Sequence, residues 1–415
     1  MKQKMFSKDF TLVVIGQIIS LFGNATVRFA LPLYLLNITG SSALYGTVMA
    51  CAFIPAILLS PVGGIVADRV NKRNIMVILD FFTAAVILSF SLLMDSAHLV
   101  LLLTVTLMLL YGIAGAYQPS VQASIPALIG QEHFMAANSI INTISSFASL
   151  MGPVLGGVRY SAYGLRPVLW VCMVCFILSA VMELFIHIPF QKQDSQGGVF
   201  LTVRTDFARS IRFIRKEKPV IGKGLLVVCG INLFLSAMIM VALPYLVTEI
   251  LDLETSQANR LYGFAEGALA AGGLAGGIGA GMFAKKLAIR NAGRLIIISS
   301  ACVFPMGAAL LLSSSGMVNY VVLTLCCFGI MASSTMFSVQ MMAFIQTETP
   351  RELIGKVIAV ILTVSMCAQP LGNALYGVLF EICAGAEAAV VLFSGVVSLG
   401  IALGAGKIFR AITSE

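Results

Sequence analysis

Gly64-Ile65-Val66-Ala67-Asp68-Arg69-Val70 is followed 217 residues later by Gly281-Met282-Phe283-Ala284-Lys285-Lys286-Leu287, with the same order of small, apolar and charged positions. Leu44-Tyr45-Gly46 returns as Leu261-Tyr262-Gly263, and Pro153 as Pro370, both at that same offset of 217. Ala30-Leu31-Pro32 returns as Ala242-Leu243-Pro244 at 212, which predicts five extra residues in the loop after the seventh apolar segment. Any one match is weak. Four in order at nearly one offset predict two copies of one unit, in parallel orientation, with a site between them near the membrane midplane.

The segments around these repeats are too apolar for water. Of 415 residues, 59% are hydrophobic and 11% charged, against about a quarter charged in soluble domains. Blocks such as Leu225 to Val247 and Val318 to Ala332 are nearly uninterrupted, and about 20 such residues span a bilayer as a helix. The pattern predicts an all-α membrane protein with twelve spans: 10–36, 43–66, 74–94, 98–121, 137–160, 167–189, 221–249, 260–284, 294–314, 317–344, 355–381 and 386–406. Lys2, Lys4 and Lys8 precede the first run, which is longer than a signal-peptide core and is expected to be retained as helix 1. The expected organisation is a six-helix half over 1–190, a cytoplasmic linker over 191–218, and a second six-helix half over 219–415. In the linker, Phe207, Ile211 and Ile214 alternate with Arg204, Arg209, Arg212 and Arg215, the pattern of a basic amphipathic helix on an anionic membrane surface.

With the N-terminus inside, all of the 26 Lys and Arg except Arg28, Arg159, Arg166 and Arg260 fall in inside loops or tails. Positive residues gather on the cytoplasmic side, so both termini are expected there, in a bacterial inner membrane. This bias explains the net charge of +8 and leaves no reason to expect nucleic-acid binding. The nine cysteines fall in the spans or at their ends. Cys172-x-x-Cys175 has no second ligand pair, so no metal and no disulfide framework is expected. Cofactors are not expected either.

The residues Gly64 to Arg73 resemble the major facilitator superfamily pattern G-x-x-x-D-R-x-G-R-R between helices 2 and 3, departing from it at Asn71. Asn is the residue that best replaces Gly at positive φ. The resemblance implies a gating loop of Gly64, Asp68, Arg69, Lys72 and Arg73, with Asp80 as a second acidic partner for its bases and the start of helix 11, at Arg351 and Lys356, as its neighbour. Gly152-Pro153-Val154-Leu155-Gly156-Gly157 resembles the core of the superfamily's antiporter signature, although Ala148 and Ser139 replace its upstream glycines. Gly16-Gln17, Gly23-Asn24, Gln122-Ala123-Ser124-Ile125-Pro126 and Gln346 to Val357 bring the likeness to the macrolide-efflux and enterobactin-exporter branch. That branch exports drugs or secondary metabolites, and its members usually work as monomers. Many family drug/proton antiporters carry a base inside helix 4; here Tyr111 to Gln118 carries no charge.

Charges and amides inside spans are the site candidates. Gln17, Asn24 and Arg28 share one face of helix 1, which lines the central cavity in the resembling family. Arg28 either binds an anionic group or holds a carboxylate ionised, or else snorkels outward. Glu266, at similar depth in helix 8, is expected to face Arg28 and to couple protonation to transport. Glu183 in helix 6 is the alternative, expected to snorkel to the cytoplasmic surface. Tyr111 and Gln118, Asn138 and Asn142, Asn232 and Ser236, and Gln369 and Asn373 complete the expected cavity, though each is equally explained by an interhelical hydrogen bond.

These features predict a secondary-active exporter of amphipathic small molecules, proton-coupled, with a small-molecule substrate, protons or another coupling ion, and the lipid bilayer as its partners. A lysophospholipid or metabolite carrier without proton coupling also suits the uncharged helix 4, and a transport-inactive scaffold or sensor is the reading of another class. Enzymatic and ATP-driven function lack any Walker loop, H-E-x-x-H or nucleophile elbow, and the three histidines are scattered.

Overall fold

The computed structural model of the chain describes residues 7–130, 133–188, 207–283, 292–350 and 353–411, with the backbone alone at 61–69, 123, 126–127, 135 and 410–411. Twelve long helices follow in order: α1 Lys8–Thr39, α2 Ser42–Arg69, α3 Lys72–Leu93, α4 Leu99–Leu128, α5 Phe134–Tyr163, α6 Leu165–Leu184, α7 Pro219–Ile250, α8 Thr255–Met282, α9 Ala292–Leu312, α10 Gly316–Glu348, α11 Ile354–Ile382 and α12 Glu387–Ala411. No strand occurs among the described residues. Eleven of these helices are long and apolar enough to cross a membrane. The exception, α8, is equally long, but eight glycines and several polar residues lower its hydropathy. Leu92, Leu226, Leu312 and Ile382 are each at least 70% exposed on their helices. Such outward leucines are stable only against lipid, which is the solvent this surface is built for.

Local chemistry sets the helix boundaries. Ser7 opens α1 by accepting the Phe10 amide on Oγ at 3.1 Å, satisfying one of the free amides of a first turn. Asn71 opens α3 in the same way, accepting the Arg73 amide at 3.1 Å with φ −60°. The expectation of positive φ at Asn71 is therefore wrong: its side chain caps the helix, a role Gly cannot fill. α2 also runs through Gly64 to Arg69, so most of the expected loop is helix, leaving only Val70 and Asn71 between α2 and α3. Gly164, at φ 75°, turns α5 directly into α6.

The repeat is visible in the helices. Pro32, Pro153, Pro244 and Pro370 lie inside α1, α5, α7 and α11. The five extra residues after α7 are not all in a loop. Residues 251–254 form a loop two residues longer than 40–41, and α8 begins about one turn further ahead of its Leu261-Tyr262-Gly263 than α2 does of Leu44-Tyr45-Gly46. α7 also holds two π-helical turns, at Asn232–Ser236 and Leu246–Ile250.

The helices fall into two compact units. Unit 1 comprises Met1–Ile38, Cys51–Val199 and Asn259–Gly267. In it α3 packs on α4 and α6, and Phe10, Val13, Ile125, Leu128, Ala137, Ile141 and Ile186 close one end as a buried cluster. The α8 residues of this unit cross α5, where Gly263 meets Gly157: a Cβ on Gly263 would stand 2.6 Å from the Pro153 carbonyl oxygen and 3.2 Å from the Gly157 Cα.

Unit 2 comprises Thr39–Ala50, Phe200–Ala258 and Ala268–Glu415. Here α9 packs on α10 and α12, and α11 on α7. The start of α2 crosses α11, where Gly46 meets Gly377: a Cβ on Gly46 would stand 2.3 Å from the Asn373 carbonyl oxygen and 2.8 Å from the Gly377 Cα. The repeated Leu-Tyr-Gly thus marks two helix crossings at backbone contact. Glu381, one turn further along α11, accepts from Ser41 Oγ at 3.0 Å, Ser42 Oγ at 3.3 Å and the Ala43 amide at 3.2 Å. It caps α2 from a neighbouring helix.

Residues 207–217 are helical. Ser210, Phe213 and Ile214 are buried and Ile211 half-buried, while Phe207 is exposed. The buried stripe therefore runs through Ser210, Phe213 and Ile214, with Ile211 at its edge and Phe207 off it. Arg204 and the linker up to 206 lie outside the described residues.

Candidate transport site

The polar face of α1 is split between two settings. Gln17 is fully buried and donates through Nε2 to Tyr117 Oη of α4 at 2.6 Å. Arg28, higher on the same helix, lies half-buried with its guanidinium carbon 3.5 Å from the centre of the Tyr111 ring of α4. That is a cation–π contact, favoured where water is scarce. Asn24, between them, is half-buried. Tyr111 itself is buried and packs on Phe53 of α2, centroids 5.0 Å apart; Gln118 is half-buried.

Glu266 accepts from Tyr262 Oη at 3.2 Å on its own helix, and Tyr262 stacks on Phe29 of α1 at 4.8 Å. Arg28 and Glu266 are thus both half-buried in unit 1, but they form no ion pair among the described residues. The expected pairing is corrected: each charge is held instead by a tyrosine, because a ring face and a phenol lie closer to hand than the opposite charge.

The antiporter-like residues Gly152, Pro153, Gly156 and Gly157 are buried. They form the surface of α5 that meets α1 and α8: a Cβ on Gly152 would reach Ala25 Cβ at 2.4 Å, and one on Gly156 would reach Phe29 at 3.0 Å. Asn138 and Asn142, expected in the cavity from the same helix, are exposed, and Asn138 Nδ2 donates back to the Phe134 carbonyl at 2.9 Å.

Unit 2 contains a separate cavity of about 250 Å³, between α7, α9 and α10, mostly apolar but studded with hydroxyls. Asn232 and Ser236 bracket the π-helical turn on one wall; Ser299, Ser334, Thr335 and Ser338 line the others, among Ile296, Met331 and Phe337. Asn232 Nδ2 is anchored on the Ser365 carbonyl at 3.0 Å. Ser299 Oγ lies 2.7 Å from Ser333 Oγ and 3.1 Å from Ser334 Oγ. Gln369 and Asn373 pair with each other at 3.2 Å, and both reach Met240 Sδ at 3.6 Å, so they join α11 to α7. The serines of α9 and α10 were missed from the sequence, where hydroxyls in an apolar helix carry no periodic signal.

The two remaining acidic candidates are both corrected. Glu183 does not snorkel: it is 0% exposed and accepts from Tyr117 Oη at 2.7 Å. Asp80 is 2% exposed and accepts from Ser20 Oγ of α1 at 3.1 Å, with no arginine in contact among the described residues. The reason is common to both. α3, α4 and α6 pack with α1 so that these carboxyls point into the bundle. Arg73 instead donates to the Leu184 carbonyl at the end of α6. Lys72 is half-buried, and Gly64, Asp68 and Arg69 have only their backbone described; Arg351 lies outside the described residues.

Comparison with known proteins agrees with this architecture. The chain is similar to Macrolide efflux protein A of Streptococcus pyogenes, 23% identical over 380 residues and 89% of each chain. It is also similar to Multidrug resistance protein MdtG of Enterobacter lignolyticus, 32% identical over 195 residues, or 45% of each. In structure it resembles the nucleoside transporter NupG with a TM-score of 0.77 and 12% identity, covering 97% of this chain and all of that one. The sequence profile of the Major Facilitator Superfamily matches residues 13–373, and with twelve helices and a parallel repeat the chain belongs to that superfamily of membrane transporters.

Proposed function

We propose that this protein exports amphipathic small molecules from the cytoplasm by alternating access, driven by an ion gradient across a bacterial inner membrane, with both termini cytoplasmic. The observation that carries the reading is Arg28. A guanidinium half-buried inside a membrane-spanning helix, held on the Tyr111 ring with no carboxylate partner among the described residues, has donors left to offer. It suits a ligand with an acceptor group attached to an apolar body. The mostly apolar cavity of unit 2, with its hydroxyls and the Met331 and Phe337 side chains, supports the same class of ligand. The export direction rests on the likeness to proteins named for macrolide and multidrug efflux. Domain division at about 190 and 219, monomeric action and gating by the α2–α3 junction belong to the same proposal.

The test is accumulation of radiolabelled erythromycin by efflux-deficient bacteria making the wild type, Arg28→Met or Glu266→Gln, with and without a protonophore. Lower accumulation with the wild type, abolished by the protonophore and by Arg28→Met, supports the reading. Unchanged accumulation with the wild type refutes export of this class. Efflux that survives the protonophore favours a carrier without proton coupling. Efflux that survives Glu266→Gln removes that carboxylate from the coupling step.

A further inference from the structure

Two carboxyl groups lie inside unit 1 where no base among the described residues balances them. Asp80 of α3 and Glu183 of α6 are 2% and 0% exposed, and Gln17 of α1 beside them is 0% exposed. Their hydrogen bonds tie α1 to three other helices. Gln17 Nε2 donates to Tyr117 Oη at 2.6 Å, Tyr117 Oη donates to Glu183 Oε1 at 2.7 Å, and Ser20 Oγ donates to Asp80 Oδ1 at 3.1 Å. Ser179, between them on α6, donates to the Gly16 carbonyl at 3.1 Å. What remains is uniform in kind. Gln17 Oε1, Asp80 Oδ2 and Glu183 Oε2 are all buried, all acceptors, and all without a hydrogen-bond partner among the described residues.

Buried acceptors are ordinarily satisfied, and buried charges ordinarily paired. Among the described residues, the groups facing the cluster are Gln17 and Ser20 from α1, Asp80 from α3, Tyr117 from α4, and Ser179 and Glu183 from α6, none of them basic. Two charged groups at the adjoining helix ends are engaged elsewhere. Arg73 donates to the Leu184 carbonyl, and Asp9 accepts the His187 amide at 2.9 Å. Glu183 is also the next-to-last residue of α6, at the negative end of the helix dipole, which disfavours an anion. Two ionised carboxyls here would stand in an apolar bundle with nothing to offset them. The deficit is of positive charge and of a donor together.

We propose that Gln17, Asp80, Tyr117 and Glu183 form a binding site inside unit 1 for one small monovalent cation, a proton or Na⁺, and that the gradient of this ion drives transport. A proton on either free carboxyl oxygen turns it into a donor for a neighbouring acceptor. Na⁺ would take the three free oxygens as ligands. Ca²⁺ wants six to eight oxygens and is not served. The second clause of the proposal rests on the transport reading above; the site itself does not.

The test is infrared difference spectroscopy of the purified full chain in lipid nanodiscs, stepped from acid to alkaline buffer with choline or sodium as the only salt cation. The expected result is a carboxylic-acid carbonyl band in the wild type that the alkaline step removes. It should be absent from the Asp80→Asn/Glu183→Gln double variant. In Tyr117→Phe, which keeps both carboxyls and the packing, the band should move to higher wavenumber as Glu183 Oε1 loses its hydrogen bond. Loss of the band on adding sodium at constant pH identifies Na⁺; indifference to sodium identifies the proton. A band that persists in the double variant, or no ion-dependent carboxyl signal in the wild type under any condition, overturns the site. In proteoliposomes, the double variant should fail to accumulate erythromycin against its gradient. If it accumulates erythromycin as the wild type does, the site is not the coupling site. If the wild type itself does not transport erythromycin, the export reading falls, and the infrared result still decides the site.

Discussion

Adding one methyl group at Gly46 should loosen the crossing of α2 and α11. In Gly46→Ala the new Cβ would stand 2.3 Å from the Asn373 carbonyl oxygen and 2.8 Å from the Gly377 Cα. Ordinary contact begins near 3.4 Å, so the two helices must part by about 1 Å. Neither atom is the end of a flexible side chain, and backbone in mid-helix yields only with its helix. Overpacking of this sort costs about 1–3 kcal/mol. Gly263→Ala, its repeat partner, meets the Pro153 carbonyl at 2.6 Å and should cost a similar amount. Gly404, with nothing within 4 Å of its Cβ position, is the control.

The protein's own nine free cysteines supply the assay. Cys172 and Cys327 are buried, and a thiol-reactive fluorophore reports their exposure as the purified protein is heated. By the size scaling of melting temperatures, the loss at Gly46→Ala and at Gly263→Ala should be roughly 2–5 °C each, and none at Gly404→Ala. The two crossings share no partner, so their effects should add in the double variant. Melting of Gly46→Ala and Gly263→Ala alongside the wild type, within about 1 °C, would refute the claim that the repeated Leu-Tyr-Gly marks backbone contacts.

Three further outcomes follow from the site. Arg28→Lys keeps the charge but loses the planar stacking on Tyr111, so erythromycin efflux should fall about tenfold, whereas Tyr111→Phe keeps the ring and should leave efflux within about twofold of wild type. Ser334→Leu or Ser338→Leu fills part of the 250 Å³ cavity of unit 2; efflux should drop while the thiol melt stays near the wild type, and unchanged efflux would exclude the cavity from the substrate path. Glu381→Gln removes the carboxylate that caps α2 through Ser41, Ser42 and Ala43, and should lower the melting temperature, an effect checked by the same thiol assay.

The helices were legible because their signals are local. Long apolar runs, two pairs of equivalent prolines and a recurring Leu-Tyr-Gly all survive being read along one chain. The boundaries were less so: Asn71 was read by its tolerance of positive φ, whereas its side chain serves as an N-cap to Arg73. Partners were least legible. Arg28 and Glu266 have similar depth and opposite charge, and in the sequence depth and charge pair them. Each contacts a tyrosine instead, and nothing in the order of residues ranks a ring face or a phenol above the opposite charge.

The acidic cluster shows where a stricter reading would have succeeded. Gln17 lies nine residues from the start of α1, Asp80 eight from the start of α3, and Tyr117 eleven from the end of α4. Those ends all face the same side of the bundle if successive helices run up and down. At 1.5 Å per residue the three sit about 12–16 Å in, at one level. Glu183 enters only because α6 ends at Leu184, several residues short of the predicted 189, which places the end of α6 deeper than the run of apolar residues implied. Depth alone therefore gathers three of the four residues, and the early end of one helix supplies the fourth. That end follows from Ile186 and Ile188 leaving the helix to join the buried cluster with Phe10 and Ile129. The same packing that shortens α6 draws Glu183 in from the surface, and a carboxyl brought there without a base is the strongest reason to look for its cation.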